Sequence, residues 1–244
     1  MEKQLENRMH ELAERAFSSG KFVFSDFLSE GECAQLNAEI GKFSYAAPLL
    51  FGGVEGCVRN IVRFGNASYG NEFPIATLQI SPKNKKFSEE LSHRDILGAT
   101  LSLGLERNLI GDIIVKGNDA FLFCNKRIAP FLLENLTRIR HTDVVCSFSA
   151  QPVNTEQTRK TERYFASSLR RDCVIAAVFH LSRTDVKEAF EHELVTLNGM
   201  PCDSPAGEMK AGDSVALRGK GKFYFISSEL TAKGREHFTI ERPI

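Results

Sequence analysis

From Pro74 to Phe148 the spacing of apolar residues switches between two and about 3.6, and no other feature restricts the fold of this chain as strongly. Alternation predicts strands at 75–80, 112–116, 119–124 and 143–148, and wider spacing predicts helices at 93–104 and 126–136. Leu97, Leu101 and Leu105 recur at spacing four, and Ile128, Phe131, Leu132 and Leu136 form a second stripe, so each helix has one face to bury. Lys116, Gly117, Asn118 and Asp119 read as a tight hairpin, because Gly117 and Asn118 tolerate positive φ. The order β-α-β-β-α-β is that of a ferredoxin-like split β-α-β unit over residues 74–150. Phe121 and Phe123 share one strand face and admit two readings, a stacking surface for unpaired bases or core packed on the two helices. No RNP-type consensus surrounds them, which favours core.

Residues 1–73 read as a separate mixed α/β unit. Leu5, Met9, Leu12 and Phe17 give the first 18 residues an amphipathic stripe. Ser29 with Glu32 makes a capping box for a second helix carrying Leu36 and Ile40 and closed by Gly41. After the glycine-rich L-F-G-G-V-E-G, the segment V-R-N-I-V-R-F reads as a strand with Arg59 and Arg63 facing outward.

Residues 151–166 are polar with little periodicity and read as an interdomain linker whose basic residues are free to touch a ligand. The last unit, 167–244, opens with a helix near 170–180 that buries Val174, Ile175, Val178 and Phe179. Ser182 and Asp185 cap a second helix with Val186, Ala189, Phe190 and Leu194 inward. Leu194 to Leu197 runs into Asn198-Gly199, a strong hairpin signal, and Ala211-Gly212-Asp213 turns into a strand over 214–218. The fold class is therefore α/β of the α+β kind, in three units.

Composition narrows the function. Lys and Arg total 31, as do Asp and Glu, so a polyanion can be held only by a local cluster of cations. The six cysteines, at 33, 57, 124, 146, 173 and 202, form no C-x-x-C pair, which predicts reduced thiols and no metal site. No apolar window reaches membrane-spanning length and the N-terminus mixes charge signs, so a cytoplasmic protein without membrane association is expected.

The cations that could form such a cluster lie late in the chain. Arg183 and Lys187 are four residues apart on one helical face, beside the exposed N–H groups of a helix start capped by Ser182. Arg170 and Arg171 open the preceding helix, and R-G-K-G-K places Arg218, Lys220 and Lys222 on a glycine-permissive backbone. These groups are expected to converge on phosphate, although Glu191, four residues beyond Lys187, equally allows an ordinary solvated ion pair.

Residues 168–222 carry marks that resemble the small RNA-binding domain named after small-subunit ribosomal protein S-four. Arg170 and Asp172 open the first helix, Ser182 and Arg183 the second, V-T-L-N-G forms a hairpin, and Gly212-Asp213 follows. The resemblance implies RNA contacts from Arg170, Ser182, Arg183, Lys187 and Asn198. The chain departs from the pattern at Arg171, where Leu is usual and an outward side chain is expected, at Glu193, where Gly is usual, and at Asp185, where basic residues are common. F-G-G-V-E-G at 51–56, H-R-D-I-L-G-A-T-L-S-L-G-L-E-R at 93–107 and the following G-D-I-I-V extend the likeness to bacterial YlmH-type RNA-binding proteins. That likeness implies a non-catalytic factor on ribosomal RNA and tRNA-bearing large ribosomal subunits, in quality control or rescue of stalled translation.

Enzyme readings fit less well. His93-Arg94-Asp95 resembles a kinase catalytic loop, but Thr100 stands where the metal-binding Asn belongs, and Ser92 with Asp95 makes a capping box. S-four modules also accompany pseudouridine synthases, yet here the module comes last and no R-L-D catalytic stretch precedes it. The six scattered histidines support no nucleophilic triad. The expectation is a monomer that binds structured RNA with no DNA preference, cofactor, metal or catalytic residue, using Arg170, Arg171, Ser182, Arg183, Lys187, Asn198, Arg218, Lys220 and Lys222. An RNA-modifying enzyme and a protein-interaction scaffold are the alternatives. If about four cations each neutralise a phosphate, affinity falls roughly a hundredfold between about 50 and 200 mM salt.

Overall fold

A computed structural model describes residues 3–66, 72–84, 89–150, 153, 159–230 and 235–243. The chain divides into two compact units, Met1–Glu156 and Gln157–Ile244. No helix among the described residues is long and apolar enough to cross a membrane.

The first unit begins with α1 (Lys3–Ser19), β1 (Val23–Phe24), α2 (Glu30–Glu39), a 3-10 turn (Ile40–Ala46), β2 (Leu49–Phe51) and β3 (Ile61–Phe64). α1 buries Leu5, Met9, Ala13 and Ala16. Phe17, expected on that stripe, is 68% exposed and meets Tyr45 edge-on. Ser29 and Glu32 form the expected capping box, but Gly41 does not end the helical path, which tightens into the 3-10 turn.

Next come β4 (Ile75–Pro82), α3 (His93–Ser102), β5 (Ile110–Lys116), β6 (Asp119–Asn125), α4 (Ala129–Asn135), β7 (Arg138–Ile139) and β8 (Thr142–Phe148). They form one antiparallel sheet in the order β5-β6-β4-β8-β7. The third main strand thus lies between the first two, as a split β-α-β requires. Alternate residues Leu78, Ile80, Leu122 and Cys124 point to the side where Ile96 of α3 and Leu132 of α4 are buried.

The opposite face of this sheet is also covered. Phe123 is fully buried and, with Ile114 and the partly buried Phe121, packs against Phe27, Phe51, Ile61 and Phe73. The rings are core, as favoured, but their partners come from the first 73 residues and not from the helices. The boundary expected at residue 73 is consequently bridged by a common aromatic core. Arg59 and Arg63, expected outside, both turn inward. Arg59 donates to the carbonyls of Phe27 (3.4 Å), Arg107 (3.2 Å) and Ile110 (3.0 Å). Arg63 is 3% exposed, its guanidinium 4.6 Å from the Phe22 ring centroid. For Arg63 the cause is that β3 is the central strand of the sheet β1-β3-β2 and is buried on both faces, so alternation there does not separate inside from outside; Arg59 precedes the strand and is drawn in by those carbonyls. Asp112 of β5 fastens the same junction by accepting the N–H groups of Val58 (2.6 Å) and Arg59 (3.1 Å).

The second unit contains β9 (Arg159–Ala166), α5 (Arg171–Phe179), α6 (Arg183–Glu191), β10 (Val195–Leu197), β11 (Met200–Pro201), β12 (Ser214–Leu217), β13 (Gly221–Leu230) and β14 (Glu236–Pro243). Its sheet runs β11-β10-β12-β13-β14-β9. The expected linker is therefore in part a strand, paired with β14 from Arg159 through Ala166. Charged residues on both sides of β9, at an outer position of the sheet, hid its alternation. Val174, Ile175, Val178 and Phe179 of α5 are buried as expected. They share a core with Val186, Ala189 and Phe190 of α6 and with Phe223, Phe225, Phe238 and Ile240 of the sheet.

Candidate nucleic-acid interface

Two short helices present their starts to one cleft in the second unit. The cleft, about 490 Å³, is lined among others by Phe165, Ser168, Arg170, Asp172, Arg183 and Val186. Ser182 accepts the Asp185 N–H (3.1 Å) while the Asp185 carboxylate accepts the Ser182 N–H (3.1 Å). Asp185 is thus the helix cap, with its charge placed at the positive end of the helix dipole. Arg183, the first helical residue, is exposed and forms no ion pair with a described residue, which leaves its guanidinium available to an anion.

Arg170 also reaches the cleft but is forked onto Asp172, with contacts of 3.1 and 2.6 Å. This paired hydrogen bond is the main cause holding the Asp172 carboxyl below its ordinary value and raising that of Arg170. The Arg-x-Asp mark is therefore a built ion pair whose acid half lies in the cleft.

Other expected site residues fall elsewhere. Arg171 does not face outward: it donates to the Ser204 carbonyl (3.2 Å) and to Cys202 Sγ (3.6 Å). The side chain of Gly207 is absent where a Cβ would stand 2.6 Å from that guanidinium carbon, so the 202–207 loop closes over the arginine. Lys187 pairs with Glu191 at 3.3 Å, both exposed, which is the solvated pair that the spacing allowed. Asn198 donates to Asp213 Oδ1 (2.9 Å) and accepts from the Ser214 N–H (2.8 Å). Asp213 also accepts the Lys210 N–H (2.8 Å), so the N-G and G-D marks form one network that pins two turns together. Positive φ at Asn198 (51°) and Gly199 (76°) fits the two-residue hairpin read from sequence.

The turn carrying Arg218, Lys220 and Lys222 joins β12 to β13. Arg218 donates its N–H to the Leu194 carbonyl (2.9 Å), just past the end of α6. Nine helical residues separate that end from Ser182, about 13 Å at 1.5 Å per residue. The cations accordingly form two groups at opposite ends of one helix, not the single cluster expected. Arg218 and Lys220 are exposed and without an ion pair to any described residue, while Lys222 lies 4.9 Å from the Tyr224 ring centroid. Glu193, where a Gly is usual, has φ 53° beside this second group.

Sequence reasoning left the basic residues of 151–166 free to touch a ligand but missed the strand β9 and the exposed ring on it. Phe165 on this strand is 61% exposed and stacks on His237, with centroids 4.6 Å apart and planes 16° apart. Arg163 lies two residues earlier on the same face, and Arg159 sits 4.1 Å from the Tyr224 ring centroid. The signal was available in the alternation of Arg163 and Phe165 with Glu162, Tyr164 and Ala166.

No group of three or more His, Cys, Asp or Glu side chains among the described residues could hold a metal. The cysteines are all free. Burial, chiefly, pushes Cys57 and Cys124 up to about 12 and Cys146 up to about 11, which leaves them unreactive as thiolates. Asp95 accepts from Ser92 and completes the cap of α3, so His93-Arg94-Asp95 is a helix start.

Comparison with known proteins finds a likeness within the first unit. Residues 69–152 match the family described as "Putative RNA-binding domain in YlmH". The chain is 28% identical over 179 residues to ribosome-associated protein quality control protein P2 of Bacillus subtilis (strain 168), a match spanning 70% of this chain and 67% of that protein. It also resembles the solved structure of cell division protein ylmH from Streptococcus pneumoniae, with a TM-score of 0.50 and 22% identity over 60% of this chain and 90% of that one. The latter likeness is one of fold. Together the matches give residues 69–152 the pattern of a YlmH-type RNA-binding domain, in a chain similar to a ribosome-associated protein.

Proposed function

We propose that the chain binds structured RNA, ribosomal RNA or tRNA on the large ribosomal subunit, as a non-catalytic factor in ribosome-associated quality control. Residues 157–244 act as an S-four-type module in this reading, and the observation that carries it is the cleft where Arg170 and unpaired Arg183 meet at two helix starts. A planar guanidinium suits phosphate oxygens, and that of Arg183 stands at the positive end of α6. The resemblance of 69–152 to an RNA-binding family and the likeness to a ribosome-associated protein support the same partner. Arg183 grips a backbone phosphate in the cleft while Asp172 holds Arg170, Arg218 and Lys220 grip a second stretch of backbone, and Asn198 holds the hairpin between turns without reading a base. Binding is of the shape-reading kind, since duplex RNA offers mainly phosphates and 2′-hydroxyls.

Crosslinking of the full chain to ribosomal subunits and tRNA, followed by sequencing of the bound RNA, tests this. Enrichment of discrete large-subunit or tRNA segments, lost in Arg183→Ala, is the expected result. Crosslinks spread without preference and unchanged by the substitution would refute it.

A further inference from the structure

β9 and β14 leave one aromatic ring of the second unit exposed. Phe165 and His237 are direct cross-strand partners on the sheet face opposite Tyr164 and Phe238, which pack inward. His237 lies beneath the Phe165 ring and is itself held by Glu229, Nδ1 to Oε1 2.9 Å. An imidazole fixed in plane by a carboxylate and covered by a phenyl ring is a rigid support, while the phenyl ring keeps 61% of its surface. No packing need accounts for a phenylalanine there, because the core of this unit is complete without it. Phe165 also lines the cleft that holds Arg170 and Arg183. Arg163, exposed and without an ion pair to a described residue, lies on its other side, about 7 Å along the strand at roughly 3.3 Å per residue. Cations thus flank an open π face in both directions.

We propose that Phe165, backed by His237, is a stacking platform for an unpaired base of the bound RNA, with Arg163 and the Arg170–Arg183 cleft holding the phosphates on either side. This rests on the RNA-binding reading above and adds to it a preference for RNA in which a paired segment meets an unpaired nucleotide. Every base has a π face, so the platform accepts all four bases. The positive flanks favour a polyanion over an apolar protein surface.

The test uses the full chain and an RNA hairpin, either blunt or with a short single-stranded extension carrying 2-aminopurine. Wild-type protein is expected to bind the extended RNA about tenfold more tightly than the blunt one, in the range of base–aromatic stacking, and to quench the 2-aminopurine fluorescence. Phe165→Leu should erase both the preference and the quench, and Phe165→Tyr should retain both. Arg183→Ala should weaken both RNAs alike, which separates the two ideas. Equal wild-type affinity for the two hairpins, or a preference and quench that survive Phe165→Leu, would overturn the platform while leaving RNA binding intact. A Phe165→Leu protein that loses only self-association in sedimentation, with RNA binding unaltered, would assign the ring to a protein contact and overturn it too. Binding of neither RNA would overturn both proposals.

Discussion

Asp172→Asn tests the cleft most directly, because it changes the charge there with little change of shape. In the folded chain Asp172 occupies Arg170 through two contacts and adds its own negative charge to the cleft. On a blunt RNA hairpin, which gives Arg163 no single strand to hold, Arg183, Arg218 and Lys220 are then the cations free to neutralise phosphates. Each contributes roughly 0.9 to the slope of log affinity against log salt, so the wild-type slope is about −2.7 and affinity falls ~40-fold between about 50 and 200 mM salt. That is smaller than the sequence alone suggested. Asparagine releases Arg170 as a fourth cation, which steepens the slope to about −3.6 and the fall to ~150-fold. Removing the acid also lifts a repulsion: for a phosphate about 7 Å away at an effective dielectric of about 40, the gain is about 1 kcal/mol, or roughly fivefold in affinity at low salt. Arg183→Ala should move the slope the other way, to about −1.8. Fluorescence anisotropy of a labelled RNA hairpin across a salt series reads all three proteins, and thermal melting confirms that each remains folded. If neither substitution alters the slope and Asp172→Asn does not bind more tightly at low salt, RNA does not enter the cleft.

Other expectations concern the framework. Gly53 has φ 114°, and a Cβ there would lie 2.5 Å from the Phe123 ring, so Gly53→Ala should cost about 2–4 kcal/mol. Since the contact joins the first 73 residues to the middle sheet, denaturation should show residues 3–150 losing stability in one transition, and two separate transitions would contradict the common core. Glu193→Gly should stabilise the second unit by about 1 kcal/mol in urea melts, because φ 53° strains any side chain but suits glycine. Alkylation of the native chain at pH 8, followed by mass spectrometry, should spare Cys57 and Cys124. With both thiols pushed up to about 12, roughly one in ten thousand is thiolate at that pH, on the ordinary titration relation. Rapid labelling of either would refute their burial.

Local signals in the sequence were read well where a single physical cause set the outcome. The capping boxes at Ser29, Ser92 and Ser182 need only a short polar side chain and an acid three residues on, and all three are formed. The stripe of α5 and the Asn198-Gly199 turn were legible for the same reason. Arg59, Arg63 and Arg171 were misread because a cation says nothing about whether carbonyls or aromatic rings wait to receive it, and those partners come from residues distant in sequence. β9 was hidden because an outer strand can be polar on both faces. The division of the cations into two groups was invisible because Ser182 and Arg218 are related through the length of α6 and the docking of Arg218 on Leu194. Lys187 was open between a phosphate and an acid, and Glu191 decided it.

A lone sheet of this kind normally offers its uncovered side to a ligand, and in this chain Phe27, Phe51 and Phe73 occupy that side. Cutting the chain at residue 69 would strip away the first two of these rings and lay bare a greasy plane on the very segment that resembles an RNA-binding family. Such a fragment would cling to nucleic acid, plastic and itself without discrimination. Binding studies are informative only on chains that keep this lid of phenylalanines in place.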